Sequence, residues 1–416
     1  MVGFERQVLK NGLRVIVHRD SSTPLAAVNV LYDVGARDEN PDRTGFAHLF
    51  EHLMFEGSVN IPDFDTRLQD AGGENNAFTT NDLTNYYETL PAQNLETAFW
   101  LESDRMLSLA FSEEKLAVQK NVVIEEFRQS YLNQPYGDVW MLLRPLAYQR
   151  HPYMWPTIGK DITHIRDASM EDVKHFFKKF YHPGNAILTV SGNVEPDDVF
   201  MLAEKWFGDI PPGEPYIRNL PQEPVQTKTR YLKAEREVPF DQIFMAFPCC
   251  GRAEEAFHAT DLLSDLLSNG GSSRLVQHLV KGKRILSEVN AYLTGSLDPG
   301  LFIVTGKLHE ETSMEEAKEA LLAELEVLKH EPVGERELQK VKNKAESSHI
   351  YSESNALAKA INLAYYELLG DPGMLDHQPE LYFLQDSLRL QETAQELFHP
   401  GKASVLEYYS MKSGEQ

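Results

Sequence analysis

Strand-like and helix-like stretches follow one another in a fixed order. LRVIVHR (residues 13–19) and AAVNVLYDVGA (26–36) are rich in β-branched and apolar residues and end in turn-forming residues, which predicts two strands. The next stretch changes period: Phe46, Leu49, Phe50, Leu53 and Met54 fall on one side of a helix that ends in Glu56-Gly57-Ser58. The same order returns after Arg230, as RYLKAEREV (230–238), QIFMAFPCC (242–250) and FHATDLLSDLLSNGGSS (257–273). Further helical periodicity runs over 92–108, 113–129, 169–179, 196–206, 313–330 and 335–369, the last with a break near 352–355.

This recurrence predicts two copies of one unit. PPGEPYIRNLPQEPVQ, residues 211–226, separates them; it is proline-rich and has no apolar period, as a linker does. The expected organisation is an N-terminal domain over 1–210, a linker over 211–226 and a second domain over 227–416. Strands mixed with long amphipathic helices indicate an α+β fold, each copy a mostly antiparallel sheet with helices on one face.

On the first of these helices, the side opposite the apolar stripe carries His48, Glu51 and His52. Spacings of three and four place all three on one face. Two imidazoles with a nearby carboxylate suit a hydrolytic zinc site, with His48 and His52 as ligands and Glu51 as the base that takes a proton from water. Thr44 or Asp42 is expected to cap the start of the helix, and Gly57 to end it. A catalytic zinc takes three protein ligands, so one more must come from elsewhere. The helix at 113–129 offers Glu125 and Glu126. One turn away, Glu126 has Val122, Val123, Gln129 and Ser130 as neighbours, whereas Glu125 has Asn121, Val122, Arg128 and Gln129. Glu126 therefore faces the more buried side and is the expected third ligand, because a buried carboxylate needs a partner.

Aligning Glu56-Gly57-Ser58 with Asn269-Gly270-Gly271 puts Asp261, Ser264 and Asp265 where His48, Glu51 and His52 stand. The second copy lacks the metal triplet. A strand follows Gly72-Gly73, and its residues Asn76, Ala77, Phe78 and Thr79 are expected to bind substrate by pairing an exposed edge with an extended peptide.

Composition narrows the setting. The net charge of −23 opposes nucleic-acid binding. No apolar run is long enough to span a bilayer. The start, MVGFERQVLKNGLRVIVHRD, lacks a basic-then-apolar signal, which indicates the cytoplasm, or the periplasm if a leader has been removed. Cys249 and Cys250 are adjacent and form no disulfide framework; they are expected as buried residues of a strand.

The His48-Leu49-Phe50-Glu51-His52 sequence, with Glu126 some seventy residues later, resembles the insulinase/pitrilysin family of zinc metallopeptidases, which includes the mitochondrial processing peptidases and short bacterial relatives. The resemblance extends over GGENNAFTTNDLTNYYETLP (72–91), NQPYG (133–137), HPYMWPTIG (151–159) and Ser191-Gly192-Asn193. It implies two homologous α+β domains arranged as a clamshell, zinc on His48, His52 and Glu126, Glu51 as general base, and short or unfolded peptides as substrates. It also implies a dimer, with itself or with a paralogous subunit.

Three positions depart from the family. Relatives carry in the second half an arginine seven residues before a tyrosine, which grip the substrate carbonyl. The matching positions here are Val280 and Ser287, with Arg274 and Tyr292 nearby but out of register. Valine has no donor and serine is too short. Where some relatives have a glutamate seven residues before the ligand, this chain has Gln119. These departures leave two expectations open: a zinc endopeptidase that works with an Arg/Tyr-bearing partner, or a non-catalytic or weakly active peptide-binding or structural subunit.

Overall fold

The computed structural model describes residues 2–411. Two sheets organise it. The first has six strands: β1 (Glu5–Val8), β2 (Arg14–Arg19), β3 (Leu25–Tyr32), β4 (Glu74–Thr79), β5 (Thr84–Pro91) and β6 (Ala186–Gly192), in the order β1-β2-β6-β3-β5-β4. The second has five: β7 (Arg230–Arg236), β8 (Gln242–Pro248), β9 (Leu286–Leu293), β10 (Leu301–Leu308) and β11 (Ser404–Ser410), in the order β7-β11-β8-β10-β9.

The duplication is visible in the topology. β2-β6-β3-β5-β4 matches β7-β11-β8-β10-β9 strand for strand. The β2–β6 and β7–β11 pairs are parallel, and every other pair is antiparallel. The helices Phe46–Leu53 and Phe257–Ser268 follow β3 and β8 respectively. β1 is an addition to the first sheet.

The compact units are not contiguous halves of the chain. One comprises the residues up to Arg128, Trp155–Leu220 and Ile350–His377; the other comprises Gln129–Met154, Pro221–His349 and the chain from Gln378 onward. Each half thus gives one segment to the other unit. In the first unit, the helix Ala356–Leu368 packs on β3 and β6, and its Leu363 and Ala364 are fully buried with Ile16, Leu31 and Ile187. The alternate residues Val15, Val17, Val28, Val30, Leu188 and Val190 are also buried, so both faces of this sheet are covered. In the second unit, the helix Val139–Ala147 covers Phe244, Ala246, Ile303 and Leu406, while Ile243, Met245, Phe302 and Val304 pack with Leu262, Leu266 and Leu321 on the opposite face. Burying one such leucine contributes ~1.5–3 kcal/mol.

The break expected near 352–355 is present. One helix ends at Ser352 and the next begins at Ala356, capped by Asn355, whose side chain accepts from Ala358 N at 2.8 Å. The proline-rich stretch 211–226 has no regular structure, and the change of unit falls within it, between Leu220 and Pro221. It is pinned on either side of that point. Arg218 pairs with Asp33 (2.8 Å) and Asp38 (2.7 Å), while Glu223 accepts from the backbone N–H groups of Gln149, Arg150 and His151. Cys249 and Cys250 sit just past β8, half-buried, rather than inside the strand.

Candidate metal centre

The helix Phe46–Leu53 is held from below by aromatic packing. Phe46, Leu49, Phe50, Leu53 and Met54 are buried. Phe50 stacks on Phe176 and Tyr181 at 4.9 and 5.1 Å between ring centroids, and Phe46 lies 5.9 Å from Phe176. This packing fixes the rotation of the helix and turns His48, Glu51 and His52 away from the core.

Its N-terminus is not capped by Thr44 or Asp42. Thr44 is buried and engaged elsewhere: His164 Nδ1 accepts from its backbone N–H, and its hydroxyl accepts from Lys160 N. The cap is Glu39, whose carboxylate accepts from Gly45 N and Ala47 N, both at 2.9 Å. Gly45 occupies the N-cap position at φ 91°, and a side chain there would meet the Ile158 carbonyl at 2.6 Å. Burial pushes the Glu39 carboxyl up to about 8, against the two backbone hydrogen bonds that favour the charged form.

Glu126 lies on the helix Glu113–Phe127, capped at its start by Ser112. Its carboxylate meets both histidines: His48 Nε2 lies 3.6 Å from Glu126 Oε1, and His52 Nε2 lies 3.5 Å from Glu126 Oε2. Glu125 points away and pairs with Arg128 on the exposed surface. The two imidazoles stand edge to face, 4.9 Å apart.

One ligand atom from each of His48, His52 and Glu126 can be chosen so that all three lie within 4.8 Å of one another; among the described residues no other such group forms. The His–Glu separations are long for N–H···O hydrogen bonds, which prefer ~2.7–3.2 Å. They suit a shared cation better, since neighbouring ligands on tetrahedral zinc, at bonds of ~2.0–2.2 Å, lie roughly 3.3–3.5 Å apart. Two imidazole nitrogens and one carboxylate oxygen make a borderline-soft donor set that fits zinc. Burial pushes the His48 imidazole down and so favours the neutral ring a metal requires, while the Glu126 carboxylate opposes this. Contact with His52 holds the Glu126 carboxyl below the usual carboxylate range despite its partial burial.

Glu51 is half-buried beside this cluster and accepts a hydrogen bond from Thr79 Oγ1 at 2.6 Å. Thr79 ends β4, an edge strand paired only with β5. Along β4, Ala77 N–H is engaged by the Asn76 side chain at 2.8 Å, and Phe78 packs into the cluster under the helix Ala356–Leu368. Of the four strand residues singled out in the sequence, Thr79 therefore reaches the His48 helix through its side chain. Gln119 bonds Glu56 through its amide, while its own oxygen is buried with no hydrogen-bond partner among the described residues.

The second copy has diverged at the matching place. Asp261 is half-buried and accepts from Tyr382 OH at 2.6 Å, and its partial desolvation pushes its carboxyl up. The Ser264 hydroxyl bonds the Asp261 carbonyl, and Asp265 is held by Asn269. Val280 packs against the core, and the Ser287 hydroxyl donates to Lys307 O at 3.3 Å. Arg274 is committed to a forked pair with Glu337, with contacts of 2.7 and 3.0 Å.

Comparison with known proteins matches the chain in two segments. Residues 14–160 match the family described as Insulinase (Peptidase family M16), and residues 167–345 match the Peptidase M16 inactive domain. The chain is 31% identical to the zinc protease PqqE of Helicobacter pylori, over 97% of this chain and 92% of that protein. It is 24% identical to the uncharacterized zinc protease YmxG of Bacillus subtilis, over 88% of each. The crystal structure of a protease from Helicobacter pylori superposes with a TM-score of 0.91 at 28% identity, covering 98% of this chain and all of that one. With both halves matched and the relationship running nearly end to end, the chain belongs to the insulinase (M16) family of peptidases.

Proposed function

We propose that this protein is a zinc-dependent endopeptidase acting on short or unfolded peptides, with His48, His52 and Glu126 as metal ligands and Glu51 as general base. The observation that carries this reading is the convergence of Glu126 on both imidazoles at 3.5–3.6 Å, with an independent carboxylate, Glu51, alongside. Zinc bound there supplies Lewis acidity, polarising the scissile carbonyl and acidifying water. Glu51 takes the proton from the attacking water and hands it to the leaving amine. The free edge of β4 pairs with the substrate backbone, which gives affinity without demanding a sequence and selects extended chains. Asn76, Ala77, Phe78 and Thr79 form that edge, and the Asn76 side chain must leave Ala77 N–H as the peptide arrives.

Val280 and Ser287 cannot supply oxyanion donors, and Arg274 is held by Glu337. The chain is therefore the zinc-bearing member of a dimer whose other subunit, a paralogue with the Arg/Tyr pair, completes the site. A purely structural subunit has no need of three converging ligands and a separate base, which disfavours the non-catalytic reading. The test is mass spectrometry of a mixed peptide pool incubated with the protein, with and without chelator. Zinc-dependent new termini support the reading. A pool unchanged under both conditions, even at saturating zinc and with the partner present, overturns it.

A further inference from the structure

Glu51 is tied to a strand rather than to its own helix. Its Oε2 accepts from Thr79 Oγ1 at 2.6 Å, and its Oε1 has no protein hydrogen-bond partner among the described residues. Thr79 pairs with Thr84 on β5, and Ala77 with Tyr86, whose ring lies 6.1 Å from Phe55 just past the end of the His48 helix. The two-residue period of the strand puts Ala77 and Thr79 on the face toward that helix, and Asn76 and Phe78 on the other. Thr79 is the member of this pair with a side-chain donor.

Resting on the peptidase reading, we infer that Thr79 is a positioning residue for the general base. Its hydroxyl holds one carboxylate oxygen of Glu51 and leaves the other to accept the proton. Because Thr79 also belongs to the strand whose outer edge is open to a peptide, the base and the substrate-pairing edge are set by one element. A substrate strand in register on β4 is thereby in register with Glu51. A half-buried glutamate with three rotatable bonds would otherwise sample several orientations, and misplacing a catalytic group by about 1 Å can cost on the order of 100-fold in rate.

The test uses the 416-residue chain as Thr79→Val and Thr79→Ser, with zinc content, kcat, KM and crystal structures of both variants and the wild type. Thr79→Val removes the donor at nearly constant volume. It is expected to keep zinc at the wild-type level, lower kcat about 10–100-fold with KM within twofold, and release Glu51 from its single orientation. Thr79→Ser restores the donor, the orientation and most of kcat. The inference is overturned if Glu51 keeps the same rotamer in Thr79→Val, if serine is as damaging as valine, or if the loss falls on KM, which would mark a substrate contact instead. A wild-type protein without zinc-dependent hydrolysis, even with the Arg/Tyr-bearing partner present, overturns the peptidase reading; the crystal structures then decide the Thr79–Glu51 relation alone.

Discussion

His52 Nε2 stands 3.5 Å from Glu126 Oε2, and the same carboxylate presents its other oxygen to His48 Nε2 at 3.6 Å. Three side chains from two helices far apart in sequence thus aim at one point, while Glu125, one residue away, faces solvent and Arg128. The choice between the two glutamates follows from helix rotation: Val123, Ile124 and Phe127 are buried and orient the helix.

Glu126→Gln is accordingly expected to lower bound zinc sharply, because it removes an anionic ligand. Glu125→Gln is expected to retain it. Metal analysis after dialysis against buffered zinc checks both. Loss of metal in the Glu125 variant alone would place the ligand one residue away from the position described.

Glu39 makes stability depend on pH. With its carboxyl raised to about 8 in the folded protein, the native state keeps a proton that the unfolded chain loses near the ordinary glutamate range. Between roughly pH 5 and 8 the native state therefore binds more protons, so this group's contribution to stability falls as pH rises. Glu39→Gln cannot titrate. It is expected to be less stable than wild type at pH 5, having lost one backbone acceptor, and to close that gap by pH 8. A difference in Tm that stays constant across this range would show that Glu39 is ionised throughout.

The exchanged segments predict crossed effects on stability. Leu143 lies in the N-terminal half but packs in the second unit, and Leu363 lies in the C-terminal half but packs in the first. Either residue changed to alanine is expected to cost ~2–5 kcal/mol. Hydrogen exchange should show Leu363→Ala loosening β3 and β6, and Leu143→Ala loosening β8 and β11. Protection lost instead in the sheet of the same half would contradict the assignment.

Much of the site was legible because helical spacing is a local property. His48, Glu51 and His52 share a face by arithmetic, and one turn of neighbours distinguishes Glu126 from Glu125. The strand-strand-helix duplication was equally legible, since period two and period 3.6 are read within short windows. Partners set by distance in space were not. Glu39 reaches the helix start from a short turn with no periodic signal, and Thr44, a good capping residue by type, is buried and bonded elsewhere. Alternation shows that Ala77 and Thr79 share a face but not that this face meets Glu51. The break at 352–355 was visible, whereas the sheet onto which Ala356–Leu368 would fold was not, because both sheets offer apolar faces.

The incomplete second half makes a kinetic prediction. Losing an oxyanion donor typically costs about 10²–10³ in turnover. The purified chain is expected to hydrolyse unstructured peptides slowly, and to accelerate by about that factor when mixed with a paralogue that lacks His-x-x-Glu-His but carries the Arg/Tyr pair. Full activity from the chain alone, unchanged by such a partner, would mean that other groups supply the oxyanion contacts.

The most direct test of the central claim separates metal binding from chemistry. Glu51→Gln leaves His48, His52 and Glu126 untouched, so zinc content is expected to match the wild type. Hydrolysis of an unstructured peptide by the zinc-loaded variant is expected to fall by about 10²–10⁴, the usual cost of losing a general base. Equal zinc and equal hydrolysis in variant and wild type would contradict the assignment of Glu51, and with it the account of this centre as a peptidase site.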